Sequence, residues 1–381
     1  MTFSTNHASI VISRLPFFTG VLEVPEEELP TYLPFTLAFN EEFGLVYQVP
    51  ADEVDYWNEQ AYRRGSSLST PLGEGSFGDK QAQAAIGVIR EIIDVRGLRV
   101  LEIGCGKGYL LKLLAEQGAS YCVGFEPDPR APTALDGGNI RIIHDFFNEN
   151  SLDEKFDLIL SHGVLEHVKD PIAFLKAEAS ALSAGGVVIN GVPDCEESLD
   201  LGDPSVLAHE HYSYFTRSSL SRCYWEAGLS CESTTSSYGW MLYGVGRSVT
   251  SSLSLSDADI EGARFARFVQ HYKRNTERLI ELASKIPPSL IWGAQPNIVG
   301  LLDSRGLPYI VADGDVAKQG KYLPISTEPI QSPTTALSRE PASVVVAPIH
   351  YDTEIRTDLA KNGYNGRIIS CRSLFSENIA H

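Results

Sequence analysis

Residues 100–128 read VLEIGCGKGYLLKLLAEQGASYCVGFEPD, and this stretch decides the fold. Val100, Leu101, Glu102 and Ile103 make a β-prone run, Gly104, Gly106 and Gly108 follow, and Leu110, Leu111, Leu113 and Leu114 then fall at helical spacing. That order predicts a strand, a glycine turn and a helix. A second apolar run, Tyr121-Cys122-Val123-Gly124-Phe125, ends on Glu126, about 20 residues past the turn. In open α/β sheets ligands bind beyond the carboxyl ends of the strands. Glycines there let the backbone approach the ligand, and a carboxylate at the second strand's tip can hold two ribose hydroxyls. The stretch therefore predicts a site for an adenosine-containing cofactor.

Glycine spacing narrows the choice. The dinucleotide fingerprint sets its third glycine three residues after the second, so that the helix starts over a pyrophosphate, whereas Gly104, Gly106 and Gly108 close one residue early. Glu102 adds a negative charge that repels a pyrophosphate and welcomes an ammonium or sulfonium. S-adenosylmethionine (SAM) fits these residues better than NAD does.

With those residues in view, the segment resembles the class I SAM-dependent methyltransferases, whose first motif is E-x-G-x-G-x-G. The resemblance implies a Rossmann-like, doubly wound, mostly parallel α/β sheet. It also implies that Glu102, Gly104 and Gly106 line the methionine end of the cofactor and Glu126 meets the ribose, with Cys105, Gly108 and Pro127 among the cofactor-binding residues. Asp145 and Phe146, after a third strand at 140–145, would meet the adenine; a helix N-cap is the competing role for Asp145. Strands are also predicted at 156–161 and 186–193, and apolar runs separated by helical segments predict a sheet covered on both faces. Beyond the fourth strand, Ser161-His162-Gly163-Val164-Leu165-Glu166-His167-Val168 resembles the family's fourth motif. The resemblance implies that Ser161, His162, Gly163 and His167 lie toward the cofactor; Glu166 and His167 stand at the sheet's carboxyl edge where chemistry could use them, and a structural loop and helix-start role is the competing reading for both.

The chain has 381 residues, enough for two or three domains. No run of about 18 apolar residues occurs and the N-terminus lacks the pattern of a signal peptide, so a cytoplasmic protein is expected. Six scattered cysteines without a C-x-x-C pair argue against disulfide stapling and against a cysteine zinc site. A net charge of −18 opposes a phosphate backbone, favouring a small-molecule acceptor over nucleic acid.

Residues 1–78 read as a β-rich N-terminal lobe ending in a Gly/Ser-rich passage that is either a linker or a lid. Residues 79–250 read as the SAM-binding domain, and 251–381 as a second α/β domain suited to acceptor binding. In that last part, a helix at 257–283 precedes a second βαβ unit.

Chemistry concentrates at Ala208-His209-Glu210-His211-Tyr212-Ser213-Tyr214-Phe215-Thr216, where two histidines flank a carboxylate and two tyrosines follow. Such groups move protons near neutral pH. His211, Glu210, His209 and Tyr214 are the catalytic candidates, and Tyr212 is a candidate for the acceptor. The competing readings are a helix-capping loop and a metal site, the latter lacking H-E-x-x-H spacing.

This H-E-H segment resembles that of the nucleotide-sugar C-methyltransferases, three-domain enzymes that methylate carbon next to a sugar ketone. The resemblance implies His211 as the base. The family's tyrosine three residues before that histidine is replaced here by Ala208. Gly293 and Asn297 match the family's G-A-x-x-x-N turn, and Lys318 and Lys321 its A-K-Q-G-K-x-x-P segment; the lysines either face acceptor phosphates or are solvated loop charges. Asn40 and Phe43 stand where the family's zinc-binding cysteines would, so no metal is expected. The alternatives are an N- or O-methyltransferase of a natural product, whose acceptor needs less help from a base, and a SAM-binding scaffold or sensor without catalysis. Oligomeric state is left open.

Overall fold

The computed structural model describes residues 8–17, 20–24, 29–63, 77–135, 139–151, 153–235, 240–249, 258–286, 289–303 and 309–377. Most of the Gly/Ser-rich passage expected to form a lid or linker lies outside the described residues.

At the N-terminus, β1 (Ser9–Pro16), β2 (Tyr32–Asn40) and β3 (Leu45–Gln48) pair antiparallel. Leu33, Phe35, Leu37 and Phe39 alternate along β2 and are all buried, the period of two that turns one face inward. Helices α1 (Asp52–Arg63) and α2 (Phe77–Ile92) follow.

The central sheet has eight strands. Five are parallel in the order β9 (Leu182–Pro193), β8 (Phe156–His162), β4 (Arg99–Ile103), β5 (Tyr121–Phe125), β7 (Ile140–Ile143). Antiparallel additions close its edges: β6 (Ala134–Leu135) beside β7, and β11 (Glu232–Thr235) and β12 (Met241–Gly246) beyond β9. Helices α3 (Tyr109–Glu116), α4 (Pro171–Ala181), α5 (Glu196–Leu201) and α6 (Arg217–Glu226) complete this part. Separate buried clusters form on the two faces of the sheet, as a parallel sheet covered on both sides requires. β4 and β8 run parallel, and the strand order reverses between them, which makes the crevice at their carboxyl ends the ligand position.

The H-E-H segment does not stay with the central sheet. Its strand β10 (Ser213–Tyr214) pairs antiparallel with β3, Ser213 opposite Tyr47 and Tyr214 opposite Val46, and so becomes the fourth strand of the N-terminal sheet.

Helix α7 (Ala258–Lys285) joins two cores. Its first half buries Phe265, Phe268 and Tyr272 against the N-terminal sheet, with Phe265 stacked on Phe39 at 6.0 Å. Its second half buries Leu279 and Ala283 in the C-terminal domain. There a parallel sheet runs in the order β14 (Ile310–Ala312), β13 (Leu290–Trp292), β15 (Ser343–Val346), β16 (Arg367–Ser370). It carries helices α8 (Pro296–Asp303), α9 (Pro333–Leu337), α10 (Asp352–Lys361) and α11 (Cys371–Ser376). No helix among the described residues is long and apolar enough to cross a membrane.

Candidate functional site

The glycine turn is bound by its backbone before any ligand is considered. Gly104, Gly106 and Gly108 all have positive φ (72°, 54° and 75°), a region from which Cβ-bearing residues are largely excluded. A Cβ on Gly104 would come within 2.4 Å of Val164 Cγ2, so the turn lies against the segment that follows β8. The Gly104 and Cys105 amides donate to the Phe125 carbonyl (2.8 and 3.0 Å). Glu126 accepts from the Gly106 amide through one carboxylate oxygen and from the Asp128 amide through the other, both at 2.9 Å. The tip carboxylate of β5 is thereby fixed over the turn.

Glu102 tests whether these residues suit a cationic ligand. It is 4% exposed, and its Oε2 is buried without a partner. Burial, with the charge of Glu126 adding to it, holds its carboxyl well above the usual carboxylate range. A carboxyl so placed lacks a cation or donor, which the ammonium end of SAM supplies. At the tip of β7, Asp145 is exposed and caps the Phe146 amide at 2.8 Å, while the Phe146 ring is 71% exposed. An uncovered aromatic beside a carboxylate can stack on a purine and leave the acid to receive its amino group. The residues fit SAM; Glu102 and residues 104–108 would hold its methionine end, Glu126 its ribose, and Asp145 with Phe146 its adenine.

Two residues expected at the cofactor turn their side chains elsewhere. The Ser161 hydroxyl accepts from Asn190 Nδ2 (2.8 Å) inside a buried polar cluster with Glu178 and Tyr224. His162 Nε2 lies 3.0 Å from the Tyr243 hydroxyl, and burial pushes the imidazole down to about 4. Only the backbone of these residues is left to face a cofactor. Gly163 keeps positive φ (68°) and donates its amide to the Gly191 carbonyl (2.9 Å).

The chain then makes a single 3-10 turn, Leu165–His167, and meets the H-E-H segment. Glu166, His167 and His211 each offer one side-chain atom within 4.8 Å of the others. The His167 and His211 rings sit edge to face at 4.7 Å, and His167 Nε2 is 3.9 Å from Glu166 Oε1. His167 Nδ1 is 2.9 Å from the Glu210 carbonyl, which can only accept, so Nδ1 carries a hydrogen. The Tyr212 amide donates to the Glu166 carbonyl (2.7 Å), which pins the two segments together. Burial, and then the neighbouring His167, hold His211 well below the usual imidazole range, so it is a neutral imidazole able to accept a proton.

The other residues of the H-E-H segment have structural partners. His209 is buried between Phe17 and Phe35, its Nε2 3.2 Å from the Pro34 carbonyl. Tyr214 is fully buried, and its hydroxyl both accepts from the Ala208 amide and donates to the Ala208 carbonyl, each at 3.1 Å. Glu210 contributes its backbone carbonyl to His167. Tyr212 donates its hydroxyl to Asp55, which Lys169 reaches at 2.5 Å. Sequence reasoning missed this Asp55–Lys169 pair, because nothing in the spacing of residues 55, 169 and 212 marks them as neighbours.

In the C-terminal domain the two lysines have acidic partners. Lys318 pairs with Asp313 at 3.2 Å and Lys321 with Glu23 at 2.9 Å, beside reciprocal backbone bonds between Leu22 and Tyr322. Gly293 (φ 105°) donates to the Ala312 carbonyl at 2.8 Å. Asn297 Nδ2 donates to the Pro204 and Leu207 carbonyls (2.9 and 2.6 Å), anchoring the chain that leads into the H-E-H segment. Of these four residues expected at the acceptor, Lys321 and Asn297 tie the C-terminal domain to the rest of the chain, while Lys318 and Gly293 bond within it.

A family model described as a methyltransferase domain matches residues 77–234. That match falls on the stretch that builds the mostly parallel central sheet and the glycine turn. A second model, described as a C-methyltransferase C-terminal domain, matches residues 262–370. Among curated proteins, a tRNA U34 carboxymethyltransferase of Campylobacter hominis is 34% identical over 26% of this chain and 38% of its own length. A ubiquinone biosynthesis O-methyltransferase of Cereibacter sphaeroides is 39% identical over 25% of this chain and 40% of its own length. The chain thus spans about two fifths of the length of these curated relatives. A solved magnesium protoporphyrin IX methyltransferase from Synechocystis with bound SAM is 16% identical and covers 53% of this chain and 99% of its own, with a TM-score of 0.38, a likeness too loose to argue from.

Proposed function

We propose that the protein is a cytoplasmic enzyme that methylates a small acceptor, using SAM, at carbon next to a ketone in a nucleotide-linked sugar, with His211 as the base. The observation that carries this reading is the neutral, half-buried imidazole of His211 beside Glu166 and His167, which follow the Val164 that packs on the glycine turn. The match of residues 262–370 to a C-methyltransferase C-terminal domain supports carbon as the methylated atom.

When bound, SAM supplies a methyl group already activated on positive sulfur. The chain's own work is to align the acceptor and manage a proton. A C–H next to a ketone becomes acidic only as charge moves onto the carbonyl oxygen, so a base must act on carbon while a donor faces oxygen. His211 fits the first role, since burial removes competing water and keeps it unprotonated at neutral pH. Tyr212 is held by Asp55 and Tyr214 by Ala208, so neither hydroxyl hydrogen is available for the second.

A second reading, O-methylation of a natural product, is favoured by the similarity to a ubiquinone biosynthesis O-methyltransferase. The tRNA-modifying relative does not outweigh the net charge of −18, which opposes a polyanion.

Calorimetric titration of the S-adenosylhomocysteine-loaded protein with nucleoside diphosphates tests the acceptor class. Selective binding of one nucleotide is expected, followed by methylation of its keto sugar that His211→Asn abolishes without loss of SAM affinity. No binding of any nucleotide, or turnover of His211→Asn near wild type, refutes the reading.

A further inference from the structure

We infer that Glu166 is the acid of the reacting centre: as a neutral carboxyl group it donates to the acceptor's carbonyl oxygen while His211 takes the proton from carbon. The inference rests on the function proposed above and fills the role that its tyrosines leave open.

Position comes first. Glu166 is 3% exposed, and its Oε2 is buried without a hydrogen-bond partner. A Cβ built on Gly163 would meet Oε1 at 3.7 Å and no other atom within 4 Å, so the carboxyl borders open space at the tip of β8. Val164, between these two residues, touches the glycine turn at Gly104. The carboxyl, His211 and the cofactor turn therefore share one corner of the crevice.

The inventory of hydrogens comes next. His167 spends its Nδ1 hydrogen on the Glu210 carbonyl. His211 is unprotonated. The hydroxyls of Tyr212 and Tyr214 are committed to Asp55 and Ala208, and His162 to Tyr243. Ala208 stands where the resembling family carries a tyrosine. At this corner the Glu166 carboxyl, with Oε2 unpartnered, is placed to bring a hydrogen to an oxygen. Burial raises it above the usual carboxylate range, with His167 opposing and Glu210 adding. The groups facing it are His167 on its own turn, Glu210 and His211 from the segment before β10, and Cys195 at the start of α5.

The proton step balances without any other reactant. The carbon–hydrogen bond breaks, its proton goes to His211 and its electron pair forms the carbon–carbon double bond. The carbonyl π pair moves to oxygen, which takes the proton of Glu166. An enol, an imidazolium and a carboxylate result, and the reverse sequence restores ketone, imidazole and acid.

The test uses the full chain with S-adenosylhomocysteine bound. Isotope-edited infrared difference spectra of wild type against Glu166→Gln, taken between about pH 5 and pH 9, should show a protonated-carboxyl band at neutral pH that the variant lacks. A spectrum without that difference band means an ionised Glu166 and overturns the inference. In deuterated water, exchange of the hydrogen next to the ketone of the bound nucleotide-linked sugar should fall by about a hundredfold or more in Glu166→Ala. Glu166→Gln, which keeps a hydrogen-bond donor and the native shape, should be intermediate, and His211→Asn should abolish exchange. Exchange in Glu166→Ala within about threefold of wild type, or a stoichiometric metal ion lost together with activity in Glu166→Gln, overturns it. Absence of exchange in the wild type with every nucleotide-linked ketone refutes the proposed function instead, while the infrared band still reports the state of Glu166.

Discussion

Replacing Glu178 by glutamine should stabilise the protein at neutral pH and not in acid. Glu178 lies on α4 with no exposed surface, and Asn190 Nδ2 donates to its two oxygens at 2.8 and 3.1 Å. Asn190 in turn receives the Tyr224 hydroxyl. Burial raises the Glu178 carboxyl from 4.5 to about 8. A carboxyl raised on folding costs nothing below its unfolded value, because both states then hold the proton. As pH climbs from 4.5 toward 8 the unfolded chain gives up its proton first, and stability falls. At pH 7 the gap is about 2.5 units, which at about 1.36 kcal/mol per unit is ~3 kcal/mol. Glutamine keeps an acceptor for Asn190 and has no proton to lose. Urea unfolding of wild type and variant between about pH 5 and pH 8 should give a stability difference that grows by about 3 kcal/mol toward the upper end. Comparing slopes cancels any constant penalty from the fit of the amide. A difference that does not change with pH would refute the reasoning and mean that Glu178 is ionised in the fold.

Three further outcomes follow from the site. Gly104→Ala combines a φ of 72° with a contact of 2.4 Å to Val164; it should cost ~1–2 kcal/mol of stability and abolish calorimetric binding of S-adenosylhomocysteine, and unchanged affinity would count against the turn as the cofactor site. Glu102→Gln removes the carboxyl that an arriving ammonium group would ionise and should weaken SAM binding by about tenfold or more, the worth of a charge-assisted hydrogen bond, with a melting temperature no lower than wild type in the absence of ligand. Tyr214→Phe strips the Ala208 amide of its partner and leaves the Ala208 carbonyl with the His211 amide alone; it should cost ~1–3 kcal/mol in chemical unfolding while leaving SAM affinity intact, and a loss of affinity would refute a purely structural role for Tyr214.

The alternation of Leu33, Phe35, Leu37 and Phe39, the run 100–103 and the leucines of 110–114 are local patterns. Each states its period of two or of 3.6 within a dozen residues, because the face a residue presents follows from backbone geometry alone. The five parallel strands of the central sheet, helix α7 and the second βαβ unit were legible for that reason. The turn at Gly104, Gly106 and Gly108 was legible too, and its positive φ is the conformation only glycine adopts without strain.

Partners across the sheet were not legible. Ser161 and His162 sit on successive positions of one strand, and a motif does not say which face is core and which is cleft; Asn190 and Tyr243 decide that. Lys318 and Lys321 look like phosphate ligands until Asp313 and Glu23 come beside them. The pairing of β10 with β3 joins residues far apart in the chain and so carries no periodic signature.

The sequence by itself thus determined the order of elements, the glycine turn with its two carboxylates, and the presence of histidines near a strand end, all properties written within single segments. Tertiary structure alone decided that Glu166, His167 and His211 converge, that Tyr212 and Tyr214 are already engaged, and that Glu178 is shut away from water. Those outcomes depend on which segments exclude water from one another, a property that no single segment contains.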